Sequence, residues 1–270
     1  MGGFARRMSY FNAFARKYPS RPYLRLDGGS IFNQAVAEAA IVNRWMLEGT
    51  YRSNLDGINL SAWDVPVWQE LGNLAAVGQI PKEHLMVPLV SANVKPKVSN
   101  FPLVQRYILK EYPIDSKTGK RVRIGITGLL IDTEERISRQ DFQVDDPVQA
   151  AKQVCEELQG KVDYRIVLTD MDMGRAVSLA VAVPEVNLIL VAHNYVALSE
   201  PEQAGGTLLV IPVNEGRMVS EVRLNFDPKS GAVDLQTRFV PLDGTVPDDR
   251  AMAELVRKAQ AAVDDFKKVK

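Results

Sequence analysis

One cysteine and two histidines are all that the chain offers among the side chains that most often build thiol and metal chemistry. A single thiol, Cys155, cannot close an internal disulfide, so the fold has to stand on packing alone. Net charge is absent too. Thirty-three Lys and Arg balance 33 Asp and Glu, so no overall field draws DNA, RNA or an anionic membrane, and nucleic acid is not an expected partner. Long apolar runs are missing: the strongest candidate, Val186 to Ala192, is strand-length, so no membrane span is expected. The first residues carry Arg6 and Arg7 but no apolar stretch of signal-peptide length after them, so the chain reads as cytoplasmic unless its true start lies upstream.

What is present is an ordinary globular balance, 270 residues with 46% hydrophobic and 24% charged side chains. Phe4, Met8, Phe11, Ala15 and Tyr18 recur at helical spacing until Pro19. Pro22 to Asp27 reads as a strand ending in a Gly28-Gly29 turn, followed by a helix over Ala35–Leu47 and a strand over Gly57–Ser61. Asp64 and Pro66 then mark a helix start, with Asp64 as its acidic cap.

Two β-rich runs, Val104–Tyr112 and Arg121–Ile131, flank a turn-forming cluster and predict a hairpin. A helix from Asp145-Asp-Pro147 to Leu158, a strand over Tyr164–Leu168, a helix over Arg175–Val183 and a strand over Val186–Val191 follow. Three strands without helices come next, at Thr207–Val213, Met218–Phe226 and Ala232–Pro241, and a charged helix over Asp248–Lys268 closes the chain. No repeat or linker interrupts the pattern, so residues 1–270 read as one domain. Units of strand and helix ending in a meander suit two mixed sheets packed face to face with helices outside, a four-layer αββα sandwich, better than a doubly wound sheet.

Several segments resemble, in order and spacing, the catalytic domain of the 5′-nucleotidase branch of the calcineurin-like metallophosphoesterases. Gly2-Gly-Phe-Ala-Arg-Arg7 is similar to its Gly-Gly-x-Ala-Arg helix start, and Leu24 to Ser30 to its Leu-Leu-Asp-Ala-Gly-Asp strand end. Leu55 to Asp64 aligns with the region of its Gly-Asn-His-Glu, Pro88 to Val94 with Pro-x-x-Ser-Ala-Asn, and Arg123 to Leu129 with Val-Gly-x-x-Gly. Asp146-Pro-Val-Gln-Ala-Ala151 resembles Asp-Pro-x-x-Ala-Ala, and Asn187 to His193 the strand that runs into Gly-His-x-His.

The resemblance implies phosphoester chemistry at two metal ions, one generating hydroxide and both offsetting phosphoryl charge. Carried over by position, the bridging aspartate falls on Ser30, the asparagine ligand on Ala62 and the phosphate-contacting histidine on Trp63. A neutral serine cannot bridge two dications, and alanine offers no donor. The mid-chain histidine falls on Asp170, the first histidine of the pair on His193 and the second ligand on Tyr195. Asp170 and His193, with Asp64 and Asp172 in reserve, hold at most one weakly bound divalent ion, and no cofactor is firmly implied. The family's opening Asp-x-His strand and its C-terminal substrate domain have no counterpart in the sequence as given.

Each position also has a plainer reading. His193 is equally a strand-end histidine bonded to backbone, Trp63 either a core aromatic or a plug in the space of the absent metals, and Asp170 and Asp172 a helix N-cap pair. Gly28-Gly29 permits a tight turn or the close approach of a phosphate, and Arg6 and Arg7 are a solvated helix face or an anion contact. His84 reads as a surface residue.

Three functions compete. The first is a non-hydrolytic relative binding an unknown small molecule or protein. The second is an enzyme completed by a missing upstream segment, since some bacterial relatives carry a cysteine-rich or selenocysteine-containing segment there, which implies redox or thiol chemistry and, with a signal, a periplasmic location. The third is a phosphoesterase with relocated ligands.

Overall fold

The computed structural model describes residues 2–115, 118–192, 201–211, 216–227, 230 and 232–269. Two sheets face each other. The first is β1 (Leu26–Asp27), β2 (Gly57–Asn59), β3 (Leu89–Val90) and β5 (Val104–Gln105), in that order and parallel throughout. The second is mixed. Its order is β11 (Glu202–Ala204), β12 (Thr207–Val210), β10 (Leu188–Val191), β9 (Tyr164–Thr169), β7 (Lys120–Leu129) and β6 (Ile108–Asp115), with the outer pair at each edge antiparallel and the interior parallel. Two separate pairs complete the strands: β4 (Val94–Pro96) with β8 (Phe142–Val144), and β13 (Met218–Phe226) with β14 (Val233–Pro241).

Helices cover the outer faces, as the sequence pattern predicts. On the first sheet, α2 (Ala39–Arg52) and α3 (Val65–Ala76) bury Leu47, Trp68 and Leu71 against Ile58, Leu60 and Leu89. On the second, α4 (Pro147–Glu157) and α5 (Met173–Ala182) bury Val154, Ala176 and Leu179 against Val167, Ile189 and Leu209. Between the sheets lie Val90, Ile126, Ile166 and Leu168. Both sheets are covered on both faces, which is why their central strands are continuous apolar runs without alternation. α1 (Phe4–Lys17) and α6 (Arg250–Val269) pack together through Ala5, Met252 and Leu255.

The sheets approach too closely for a side chain at one point. A Cβ on Gly128 would lie 2.2 Å from the carbonyl oxygen of Val90 and 2.5 Å from Asn59 Oδ1. The Asn59 side-chain amide donates to Gly28 O at 3.1 Å and Leu129 O at 3.5 Å, joining the end of β1 to the end of β7.

Several boundaries differ from the sequence reading. The strand placed over Pro22–Asp27 is regular only at Leu26–Asp27, and the second helix runs over Ala39–Arg52, not Ala35–Leu47. The run Val104–Tyr112 is not one strand. Val104 and Gln105 pair with β3 in the first sheet, and the chain then crosses to the second sheet as β6. Apolar alternation is the same on either side of such a crossing, so the sequence carries no mark of it. Val213 lies outside the described residues, and the strand before it is regular over Thr207–Val210. Among the described residues, no helix is long and apolar enough to cross a membrane.

Candidate functional site

The parallel strands β1, β2, β7 and β9 end at the same rim of the sandwich, and the turns after them gather Ser30, Ala62, Trp63, Asp64, Ile131 and Asp170. In open parallel sheets the carboxyl ends of the strands are where sites form. Asp170 ties two of these turns together. Its Oδ2 accepts the Ala62 N–H at 3.3 Å and its Oδ1 the Ile131 N–H at 3.2 Å, joining the turn after β2 to the turn after β7.

Asp64 does the same for the turn after β1. It sits at the helix-cap position of α3, yet its side chain makes no cap hydrogen bond. Oδ1 instead accepts the Phe32 N–H at 3.0 Å and Oδ2 the Ile31 N–H at 3.1 Å. The expectation of an acidic cap is therefore corrected: the carboxylate holds two backbone donors from a distant segment, which residue spacing along one helix cannot reveal. Asp172 is a true cap, accepting the Arg175 N–H at 3.0 Å and pairing with its guanidinium at 2.8 Å.

Burial raises the carboxyl of Asp64 to about 6, with the nearby charge of Asp27 adding to the effect and the two backbone donors opposing it. Asp170 is raised to about 7, again first by desolvation, with Asp64 contributing like-charge repulsion.

Ser30 is exposed, holds a left-handed φ of 58° and donates its N–H to Ser61 Oγ at 3.0 Å. Left-handed backbone is uncommon for a residue with a Cβ. The glycines before it serve packing, because a Cβ on Gly28 would lie 2.2 Å from the Ala192 Cβ and one on Gly29 2.7 Å from Asn59 O.

Ala62 is buried. Trp63 is half-buried, which corrects the reading of a core aromatic. Its Nε1 donates to Phe32 O at 2.9 Å, the Gln34 amide donates to its carbonyl, and Arg136 covers its ring at 3.9 Å. The loop carrying Arg136 is set by Asp132, which accepts the Arg136 N–H at 2.7 Å and pairs with Arg139 at 2.9 Å. Sequence reasoning missed this loop, which has no regular pattern and acquires meaning only by lying over Trp63.

His193 and Tyr195 lie outside the described residues. Arg6 pairs with Asp248 at 3.4 Å and Arg7 with Asp27 at 3.2 Å, so both are engaged by internal carboxylates. His84, in a short 3-10 turn over Lys82–Leu85, lies against Tyr51 with ring centres 4.9 Å apart.

The four layers, and a rim built from the carboxyl ends of their strands, define the fold of the calcineurin-like metallophosphoesterases in the form found in 5′-nucleotidases. A 5′-nucleotidase precursor from Thermus thermophilus superposes with a TM-score of 0.74 at 20% identity over 98% of this chain and 54% of that one. A sulfate thiohydrolase SoxB from Thermus thermophilus superposes at 0.77 with 14% identity, over 98% of this chain and 48% of the other. In sequence the chain is 22% identical over 204 residues to an uncharacterized metallophosphoesterase, YunD, of Bacillus subtilis, covering 76% of this chain and 40% of YunD. It thus spans about half or less of the length of these relatives. No family model matches.

At the positions that the sequence resemblance assigns to metal ligands, Ser30, Ala62 and Trp63 offer no carboxylate, amide or imidazole side chain, and the oxygens of Asp64 and Asp170 accept backbone donors. Among the described residues no group of three or more His, Cys, Asp or Glu is placed to hold an ion.

Proposed function

We propose that this chain is a non-hydrolytic relative of the 5′-nucleotidases, which keeps the fold as a binding or interaction module for a small molecule or protein. The observation that carries the reading is the use made of the rim carboxylates. In a metallohydrolase such groups point their lone pairs at metal ions; here both oxygens of Asp64 and both of Asp170 accept backbone N–H groups and pin the turns after β1, β2 and β7. Desolvation further favours their neutral forms, which are poor ligands. Trp63, which the sequence resemblance aligns with the family's phosphate-contacting histidine, is bonded to Phe32 and covered by Arg136, so an indole and a guanidinium stand together there.

The test is turnover. Purified protein supplied with manganese or zinc is assayed against nucleotides and p-nitrophenyl phosphate, alongside Ser30→Ala. The expected result is no metal-dependent hydrolysis distinguishing the two proteins, and robust metal-dependent turnover lost in the variant overturns the proposal.

A further inference from the structure

The end of the molecule opposite the rim carries a different chemistry. Because β1, β2, β3 and β5 are parallel, the segments that lead into them all emerge at one end of the first sheet. Five of the nine large hydrophobic side chains exposed among the described residues lie in these segments: Tyr23, Tyr51, Val77, Met86 and Leu103. Val77, Met86 and Leu103 are the most open, at 70%, 80% and 77% exposure. Met86 and Leu103 flank a groove of about 820 Å³ floored by apolar side chains such as Leu55, Val87 and Ile108.

Cations stand at the same end. Residues 1–26 hold six cations and no carboxylate; Arg6 and Arg7 pair with Asp248 and Asp27, which leaves Arg16, Lys17, Arg21 and Arg25 towards the groove end. Arg16, Lys17 and Arg21 are exposed, at the C-terminal end of α1 and just beyond it, and make no ion pair among the described residues. Lys17 and Arg21 lie over the ring of Tyr18, at 5.4 and 4.8 Å from its centre. The segment is tied to the groove end through Arg25, whose N–H donates to Asp56 Oδ2 at 3.0 Å and whose guanidinium donates to Ser53 O at 3.2 Å.

Asp56 at the groove is neutralised by Lys110 at 2.7 Å and Glu48 pairs with Arg52, while Glu83 stands beside Lys82, for which no ion pair is found among the described residues. The surface therefore combines protruding apolar side chains, tyrosines and uncompensated cations. That is the composition of an interfacial face, in which cations meet anionic headgroups and short apolar side chains enter the boundary above the acyl chains.

We propose that this end of the first sheet is a peripheral docking face for an anionic lipid surface. The apolar side chains beside the cations favour lipid over nucleic acid, since Val77, Met86 and Leu103 gain burial in a headgroup boundary and find no apolar partner along a phosphate backbone. Attachment is reversible and salt-sensitive, and it is independent of the rim and of whether the rim hydrolyses anything.

The experiment is flotation of the full chain with vesicles of phosphatidylcholine alone and of phosphatidylcholine with phosphatidylserine, at low and high salt. The comparison variants are R16Q/K17Q/R21Q and M86S/L103S, each checked for an unchanged circular dichroism spectrum. Recovery with anionic vesicles at low salt and release at high salt are expected. At about fivefold per cation, the triple glutamine variant loses roughly a hundredfold in partitioning, and M86S/L103S loses about tenfold. Equal recovery with neutral vesicles, or an unchanged triple variant, overturns the proposal. So does tighter binding to a single-stranded oligonucleotide than to anionic vesicles at the same salt, which reassigns the cations to nucleic acid.

Discussion

The guanidinium of Arg136 lies 3.9 Å from the centre of the Trp63 ring, so an irregular loop from the second sheet closes over a residue of the first. The stack is fixed from both sides, by Phe32 O on the indole Nε1 and by Asp132 on the Arg136 backbone. Trp63→Ala removes the ring, its hydrogen bond and the cation contact, and is expected to cost about 2 kcal/mol. Arg136→Ala is expected to cost less than about 1 kcal/mol, since the loop stays anchored. Urea denaturation of the two variants gives both values, and a larger loss for Arg136→Ala contradicts this order.

Gly128→Ala forces a Cβ to within 2.2 Å of the Val90 carbonyl oxygen, a backbone atom that cannot swing aside. The sheets have to separate locally, at a cost of about 3 kcal/mol or more. Gly206→Ala is the control, because nothing lies within 4 Å of the added carbon there. Thermal melts are expected to show a large loss for Gly128→Ala and a small change for Gly206→Ala.

Stability is expected to fall as pH rises from about 4 to about 7. Folding raises Asp64 from 3.8 to about 6 and Asp170 from 3.8 to about 7, so in this window the folded chain binds more protons than the unfolded chain. The slope of stability against pH is then negative, and it flattens above the folded values. Asp163, Glu221 and Asp243 are lowered by their partners and act in the opposite direction, at the acid side of the ordinary carboxylate range. Asp170→Asn keeps an acceptor for one backbone donor and removes the titration, so its melting temperature between pH 4 and pH 7 is expected to change less than that of the parent protein.

Metal addition is expected to leave the fold unchanged. Elemental analysis after dialysis should find no pair of tightly bound transition metals, and a chelator should not lower the melting temperature, because stability comes from the cores on either side of each sheet. Two retained equivalents, or a chelator-sensitive melt restored by manganese, would show that ligands outside the described rim residues complete a centre.

The sequence by itself determined the layer architecture. Apolar runs separated by helical periodicity require sheets covered on both faces, and Ile58, Leu89, Val167 and Ile189 are buried accordingly. The family resemblance in the sequence expected Ser30, Trp63, Asp170 and His193 on one rim; Ser30, Trp63 and Asp170 follow strands β1, β2 and β9, and His193 lies outside the described residues. The tertiary structure alone decided what those residues do. Asp64 looks like a helix cap in one dimension, and only the return of the turn after β1 brings the Ile31 and Phe32 donors to its oxygens.

Net charge is likewise silent about position. A neutral total gives no field at a distance, yet the parallel order of the first sheet gathers exposed apolar side chains at a single end, on the side of the chain where Arg16, Lys17 and Arg21 are exposed. A composition sums charges without positions, whereas attraction within a Debye length of about 10 Å depends on which charges are neighbours.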